Sequence, residues 1–305
     1  MKDWSLTTLL DNLEDRGPWG SSNYRGNCSG WIPYKLSEFF KPKLAVDFMV
    51  GGGTSKDVYD YMGIENFVTD LNPQWGGFDL VNDEIPHSFD FAMFHPPYNR
   101  KDKGIILYSG NMWGSKDPRD LSQMPWDKYL KALNKCIAKQ YIALRKGGRL
   151  AMLIGDCREK GKLYSAMMDC IKPGELEHVI IKKQENCDSY RKNYNNAKFI
   201  PIVTEYLLVF KKIHHYIVGM KQTVYLEKDL RESKVTTWRD VVYSSLEHLG
   251  GRANLQELYK EIKNHYKTKR NKNWEAKVRQ VLQTSQDFMR VDKGTWAVNH
   301  PPLSV

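Results

Sequence analysis

The stretch LAVDFMVGGGTSKDVYDYMG, residues 44–63, constrains the fold more than any other part of the chain. An apolar run broken by one acid leads into three glycines and then into a segment with helical spacing. Glycine adopts backbone conformations closed to other residues and lets a ligand approach the chain closely. Strand, glycine turn and helix together open an α/β sheet, in which ligands bind beyond the carboxyl ends of the strands. The chain keeps this rhythm. NFVTDLNP reads as a second strand ending in Asp70, and FDFAMFHPPY as a third. WDKYLKALNKCIAKQYIALRKGG, residues 126–148, has helical spacing that stops at Gly147-Gly148. RLAMLIGD predicts a strand, KLYSAMMDCI a helix, and HVIIKKQ and TEYLLVFKK the last strands. Such alternation predicts a mostly parallel sheet with helices on both faces.

The glycine loop lacks the Gly-Lys-Ser/Thr ending of a phosphate-binding P-loop. Asp70 follows Gly53 by 17 residues, where an acid can bind ribose hydroxyls. Asp83, in VNDEIP, is placed near the end of a third strand. This combination predicts a nucleoside-bearing cofactor held without a phosphate grip. The run FDFAMF must stop at Phe94, because Pro96 and Pro97 cannot donate to a strand ladder. A residue before proline is pushed into extended geometry. His95-Pro96-Pro97-Tyr98 is therefore a stiff segment at a strand's carboxyl end.

Taken together, DFMVGGGT, FVTDLNP, FDFAMFHPPYN, LRKGGRLAMLIGDCR and FIPIVTEYLLVFKK resemble the S-adenosyl-L-methionine-dependent DNA amino-methyltransferases. The resemblance covers residues 20–212. In that family a strand leads to Asp, Asn or Ser, then Pro-Pro and an aromatic residue. NYRGNCSGWIPYKLSEFF, residues 23–40, is similar to the family's N-terminal cofactor segment. The motif order resembles the γ class. The resemblance implies a Rossmann-like, seven-stranded sheet, with Asp47, Gly51, Gly53, Thr54, Asp70, Asp83 and Asn27 holding the cofactor. It makes His95, Pro96, Pro97 and Tyr98 the catalytic segment.

The chemistry accounts for these residue types. An exocyclic amine conjugated with a base ring is a poor nucleophile until its lone pair is localised. By resemblance, the side chain at position 95 and the Pro96 carbonyl accept the two amino hydrogens, Pro97 stiffens the turn, and Tyr98 stacks on a flipped base. Base extrusion is needed to reach such a site in a duplex, and stacking contributes roughly 1–3 kcal/mol per base. His95 departs from the family's usual Asp, Asn or Ser. Only a neutral imidazole can accept a hydrogen bond, so activity should fall below the His95 pKa, with a change expected between pH 8 and 5.5.

Residues 99–125 and 183–199 break the α/β rhythm as long loops, of a length that is usually functional. Arg100, Lys101, Tyr190, Arg191 and Lys192 mix charge with aromatic rings, as nucleic-acid loops do. GDCREKGK, residues 155–162, reads equally as an approach to DNA phosphates or as a solvated turn. After Lys212 the pattern changes: residues 213–235 read as a linker between a catalytic domain, 1–212, and a small domain, 236–305. Three helices and a hairpin about Lys293-Gly294 predict a winged helix there. From Ile213 to the end Lys and Arg number 16 against 10 Asp and Glu, out of a whole-chain net charge of +10. Such a basic balance favours a polyanionic partner. Lys269, Arg270, Lys272, Lys277 and Arg279, on and before the predicted recognition helix, are the candidate contacts to double-stranded DNA.

The expected activity is methylation of a DNA base amine, adenine first. The same pattern suits 4-methylcytosine formation, an amine of ribosomal RNA, or a protein glutamine amide. The non-enzyme alternative is an inactive methyltransferase fold that binds DNA. Five scattered cysteines without a CxxC pair support neither a metal nor a disulfide framework. No apolar run reaches 18 residues, so a membrane span is not expected. A reducing cytoplasm, bacterial or phage-infected, is the expected setting. A companion restriction endonuclease is a further expected partner of such an enzyme.

Overall fold

The computed structural model describes residues 5–11, 13, 15–21, 23–24, 26–99, 108–114, 116–184, 200–214, 218–224, 226 and 236–299. The chain divides into two compact units, Met1–Thr223 and Val224–Val305. Among the described residues, no helix is long and apolar enough to cross a membrane.

The first unit carries strands β1 (Leu9–Leu10), β2 (Leu44–Asp47), β3 (Glu65–Val68), β4 (Phe89–Phe94), β5 (Leu144–Glu159), β6 (Lys162–Ser165), β7 (Lys172–Pro173), β8 (Glu175–Lys183), β9 (Thr204–Lys211) and β10 (Met220–Lys221). Its helices are α1 (Trp31–Phe40), α2 (Thr54–Met62), α3 (Trp126–Ala143) and α4 (Ala166–Asp169). The main sheet runs in the order β1-β8-β9-β5-β4-β2-β3, with β6 paired to β5 off that path. β2, β3, β4 and β5 are parallel, and β9 is antiparallel to both β5 and β8. This is a Rossmann-like α/β sheet with helices on both faces.

Strand alternation distributes the side chains between two cores. Ala45, Phe91, Met93 and Ala151 pack with Trp31, Ile32 and Leu36 of α1 and Val58 and Tyr59 of α2. Val46, Ala92, Phe94 and Met152 pack with Leu133, Cys136 and Ile137 of α3. Burial of β2 along its whole length explains why its sequence is apolar nearly throughout. Each fully buried large apolar side chain contributes about 1.5–3 kcal/mol.

The connection order positions the site. From β2 the chain steps outward to β3, then returns to the other side of β2 as β4, with Val46 beside Ala92. The strand order reverses between β2 and β4, and the crevice opens beyond their carboxyl ends. Gly53 caps α2 with φ 86°, a left-handed conformation that glycine adopts without a Cβ penalty.

Several local expectations need correction. α3 stops at Ala143, not at Gly147-Gly148, because Leu144 is already extended and pairs with Phe89. GDCREKGK is a β-hairpin rather than a solvated turn. β5 continues to Glu159, and Lys160 and Gly161, both with positive φ, turn the chain into β6. Two positive-φ residues match the twist of a hairpin. KLYSAMMDCI is helical only at Ala166–Asp169, because Lys162–Ser165 pairs with β5 as a strand. No strand ends near Asp83. Residues 79–83 form a turn in which the Asp79 N–H donates to Asp83 Oδ2 at 2.7 Å.

The second unit contains α5 (Trp238–His248), β11 (Arg252–Asn254), α6 (Leu255–Ile262), α7 (Tyr266–Arg270), α8 (Trp274–Thr284), β12 (Phe288–Asp292) and β13 (Thr295–Val298). Its antiparallel sheet runs β11-β13-β12. Capping boxes at Thr237/Asp240 and Asn254/Glu257 start α5 and α6. Val241, Leu246, Leu258, Ile262, Val278 and Leu282 form its core. The basic run KTKRNKN overlaps α7, which is begun by a His265 Nδ1 cap on the Lys267 N–H. β11 was not legible in the sequence, being three residues long.

Candidate active site

A cleft opens at the carboxyl ends of β2 and β4. Asn27, Asp47, Gly51, Thr54 and Asp70 line one part, and His95, Pro96 and Pro97 line another. The glycine loop is clamped from three sides. Asp70 Oδ2 accepts from the Gly51 N–H at 3.0 Å, Asn27 Oδ1 accepts from the Gly52 N–H at 3.2 Å, and the Trp75 Nε1–H donates to the Gly51 carbonyl at 2.9 Å. The second Asp70 oxygen accepts from the Asn72 N–H at 2.9 Å. Thr54 Oγ1 is buried with no hydrogen-bond partner among the described residues. An orphaned hydroxyl at the start of α2, within a cleft, is a group that a ligand can satisfy.

The electrostatics of the cleft are one-sided. Asp47, Asp70, Asp79 and Asp120 all line it and are all buried. Arg119 is the only Lys or Arg lining it among the described residues, and it pairs with Asp117 at 2.7 Å. Burial raises the Asp47 pKa to about 7, although the Ser55 hydroxyl (2.5 Å) and the Met49 N–H (2.9 Å) donate to it. Burial also raises Asp70, against the donors Asn72 and Gly51. Clustered carboxylates in low dielectric favour a cation and repel phosphate. Asp120 accepts four hydrogen bonds, from the N–H and hydroxyl of both Ser109 and Ser122.

At the end of β4, His95 forms part of the cleft wall. Burial pushes its pKa down to about 4, with Glu205 pulling the other way. Its Nε2 lies 3.2 Å from the Tyr98 hydroxyl oxygen. That hydroxyl donates to Glu205 Oε1 at 2.7 Å, and Lys182 Nζ donates to Glu205 Oε2 at 2.5 Å. The drop in activity expected between pH 8 and 5.5 therefore moves to about pH 4.

The remaining predicted residues divide clearly. Gly53, Asp83 and Tyr98 do not line the cleft. Gly53 caps α2, and Asp83 caps the 79–83 turn. The Tyr98 ring packs against Gly155 and its hydroxyl is bound to Glu205, an orientation set by the sheet rather than by the cleft. Arg100, Lys101, Tyr190, Arg191 and Lys192 lie outside the described residues. In the second unit Lys269, Arg270, Lys272 and Arg279 are exposed, and Lys277 is half-buried. Arg279 donates to the Tyr259 hydroxyl at 2.8 Å, Arg270 lies over the Tyr266 ring, and Lys277 donates to Gln280.

Sequence reasoning missed Asp79, Arg119, Asp120, Tyr108 and Trp113 in the cleft wall, because their loops carry no periodic signal. It also missed Lys182 and Glu205. Both are charges beside apolar residues in the strands HVIIKKQ and TEYLLVFKK, and a charge within such a run was the available signal.

No protein-family model matches the sequence, and no curated protein matches it. Solved structures resemble it distantly. TehB from Haemophilus influenzae is 9% identical over 60% of this chain and 62% of its own, with a TM-score of 0.37. A candidate DNA modification methylase from Thermus thermophilus, in complex with S-adenosyl-L-methionine, is 14% identical over 57% of each chain, with a TM-score of 0.27. An rRNA methylase from Streptococcus thermophilus is 13% identical over 60% of this chain and 97% of its own, with a TM-score of 0.32. The chain thus spans less than two thirds of the length of the first two. At such distances, the activities named for those proteins remain theirs.

Proposed function

We propose that the protein is an S-adenosyl-L-methionine-dependent methyltransferase acting on an exocyclic base amine of double-stranded DNA, adenine in first place. One observation carries the reading. The glycine loop beyond β2 and the His95-Pro96-Pro97 segment beyond β4 open into the same acidic cleft. The cleft suits a nucleoside cofactor that is cationic and lacks phosphate. Asp70, Asn27, Thr54 and Asp47 would hold that cofactor, and the orphaned Thr54 hydroxyl gains a partner. When bound, it supplies an electrophilic methyl on a sulfonium.

The chain's own residues prepare the nucleophile. His95 stays neutral at working pH and accepts one amino hydrogen, while the Pro96 carbonyl accepts the other. Together they hold the nitrogen lone pair out of conjugation without removing a proton. Positioning of this kind supplies much of a transfer barrier. Tyr108 and Trp113, on the cleft wall, offer aromatic surface for the flipped base. The second unit, with four helices, a hairpin and the exposed Lys269, Arg270 and Lys272, fits a winged-helix module gripping phosphates.

The test is incubation with labelled cofactor and unmethylated duplex DNA, followed by nucleoside mass spectrometry. A 6-methyladenine product is expected. A 4-methylcytosine product corrects the base, and label entering only RNA corrects the substrate. Transfer to neither, with the cofactor bound, removes the reading.

A further inference from the structure

We propose that Glu205 and Lys182, reaching across the sheet through Tyr98, are positioning residues that fix the tautomer of His95 and present its Nδ1 to the cleft as a hydrogen-bond acceptor. The proposal deepens the role assigned to His95 above and rests on that reading for its catalytic consequence.

The hydrogen-bond directions follow from counting protons. Glu205 is an ionised carboxylate: burial is the largest influence and opposes its charge, but Lys182 at 2.5 Å, together with His95 and the Tyr98 hydroxyl, holds its pKa below the usual range. A carboxylate only accepts, so the single hydrogen of the Tyr98 hydroxyl, 2.7 Å away, points to Glu205. The phenol oxygen is left as an acceptor. His95 Nε2, 3.2 Å from it, must then carry a hydrogen and donate. A neutral imidazole has one N–H, so Nδ1 carries the lone pair. Nδ1 makes no hydrogen bond among the described residues, and His95 lines the cleft.

The sheet explains why the relay fits. Glu205 on β9 sits beside Gly155 on β5 and beside Lys182 on β8. The Tyr98 ring crosses β5 at Gly155, where a Cβ would lie 2.9 Å from its Cε2. Any side chain at 155 would close the path from His95 to Glu205. The nearby thiol and phenols stay uncharged: burial pushes the Cys28 thiol up to about 12 and raises the Tyr98 and Tyr129 phenols as well. An imidazole that can accept but not donate at Nδ1 selects a substrate presenting an N–H, as an amino group does and a ring carbonyl does not.

The test is nitrogen NMR of the full chain with ¹⁵N-labelled histidine, at pH 7 and without substrate. Wild-type His95 is expected to show a protonated Nε2 and a lone-pair Nδ1. Tyr98→Phe keeps the ring against Gly155 but removes the phenol oxygen, and is expected to give a tautomer mixture. Glu205→Gln paired with Lys182→Met avoids an unpaired buried lysine, and is expected to do the same. In transfer assays both should lower kcat about tenfold with the cofactor KM unchanged. A protonated Nδ1 in the wild type, or an unaltered tautomer in both variants, overturns the proposal. The NMR result stands apart from the functional reading, whose own failure would be an absence of methyl transfer by the wild type.

Discussion

Tyr98 and Gly155 meet where a single methyl group would not fit: a Cβ on residue 155 would lie 2.9 Å from Tyr98 Cε2. The absent side chain couples the end of β4 to β9. Gly155→Ala is expected to displace the Tyr98 ring and break its bond to Glu205. Overpacking of this kind costs about 1–3 kcal/mol. Urea unfolding should show that loss, and kcat should fall with it. An alanine variant with unchanged stability and rate would show that the close approach has no consequence.

His95 should govern the acid limb of the rate. Its folded pKa, about 4, lies below the ordinary 6.5, so the folded protein sheds the proton early and keeps the imidazole able to accept. With saturating cofactor, kcat should be flat from pH 8 to 5.5 as far as this group is concerned, and fall near pH 4. The same shift makes His95 a destabilising group as pH drops from about 6.5 to 4. A kcat profile with a midpoint near 6.5 would contradict the buried, neutral imidazole.

Asp47 has the opposite sign of shift. Its folded pKa, about 7, lies above the ordinary 3.8, so the folded state binds the proton more tightly. Stability from this group is fully present below about pH 4 and is lost as pH rises through 7. Asp47→Asn should therefore flatten the decline in unfolding free energy between about pH 4 and 7. A cationic cofactor favours the carboxylate, so its binding at pH 6 should release protons. Calorimetry in two buffers of different ionisation enthalpy measures that release. Equal heats in both buffers would refute the coupling.

The exposed basic residues of the second unit should contribute to affinity without choosing a sequence. Replacing Lys269, Arg270 and Lys272 with alanine should weaken duplex binding and leave the folded core intact. Each lost phosphate contact should reduce the salt slope of log K by about 0.9. Fluorescence anisotropy across a salt series tests this. An unchanged slope would place the DNA contacts elsewhere.

The sheet was legible because buried parallel strands write their burial as continuous apolar runs, as LAVD and FAMF do. The glycine turn at the cleft was legible for a related reason: beyond β2, Gly51 and Gly53 take positive φ, which other residues rarely adopt. What stayed hidden depended on contacts distant in sequence. Glu205 and Tyr98 are far apart along the chain and meet only because β5 and β9 pair at Gly155. The hairpin of β5 and β6 was hidden because its residues are polar and half-exposed. Tyr98 was read as a stacking ring from the chemistry of its motif. Its orientation is set by Glu205, which the motif does not contain.

The most direct test of the account is a single-turnover comparison of wild type and His95→Ala, using labelled S-adenosyl-L-methionine, unmethylated duplex DNA and nucleoside mass spectrometry. A positioned acceptor or base typically contributes about 10²–10⁴-fold. The account predicts a methylated base amine from the wild type, and at least about 100-fold slower formation by a variant that binds cofactor equally well. Equal rates, or no product from a wild type that binds the cofactor, would contradict it.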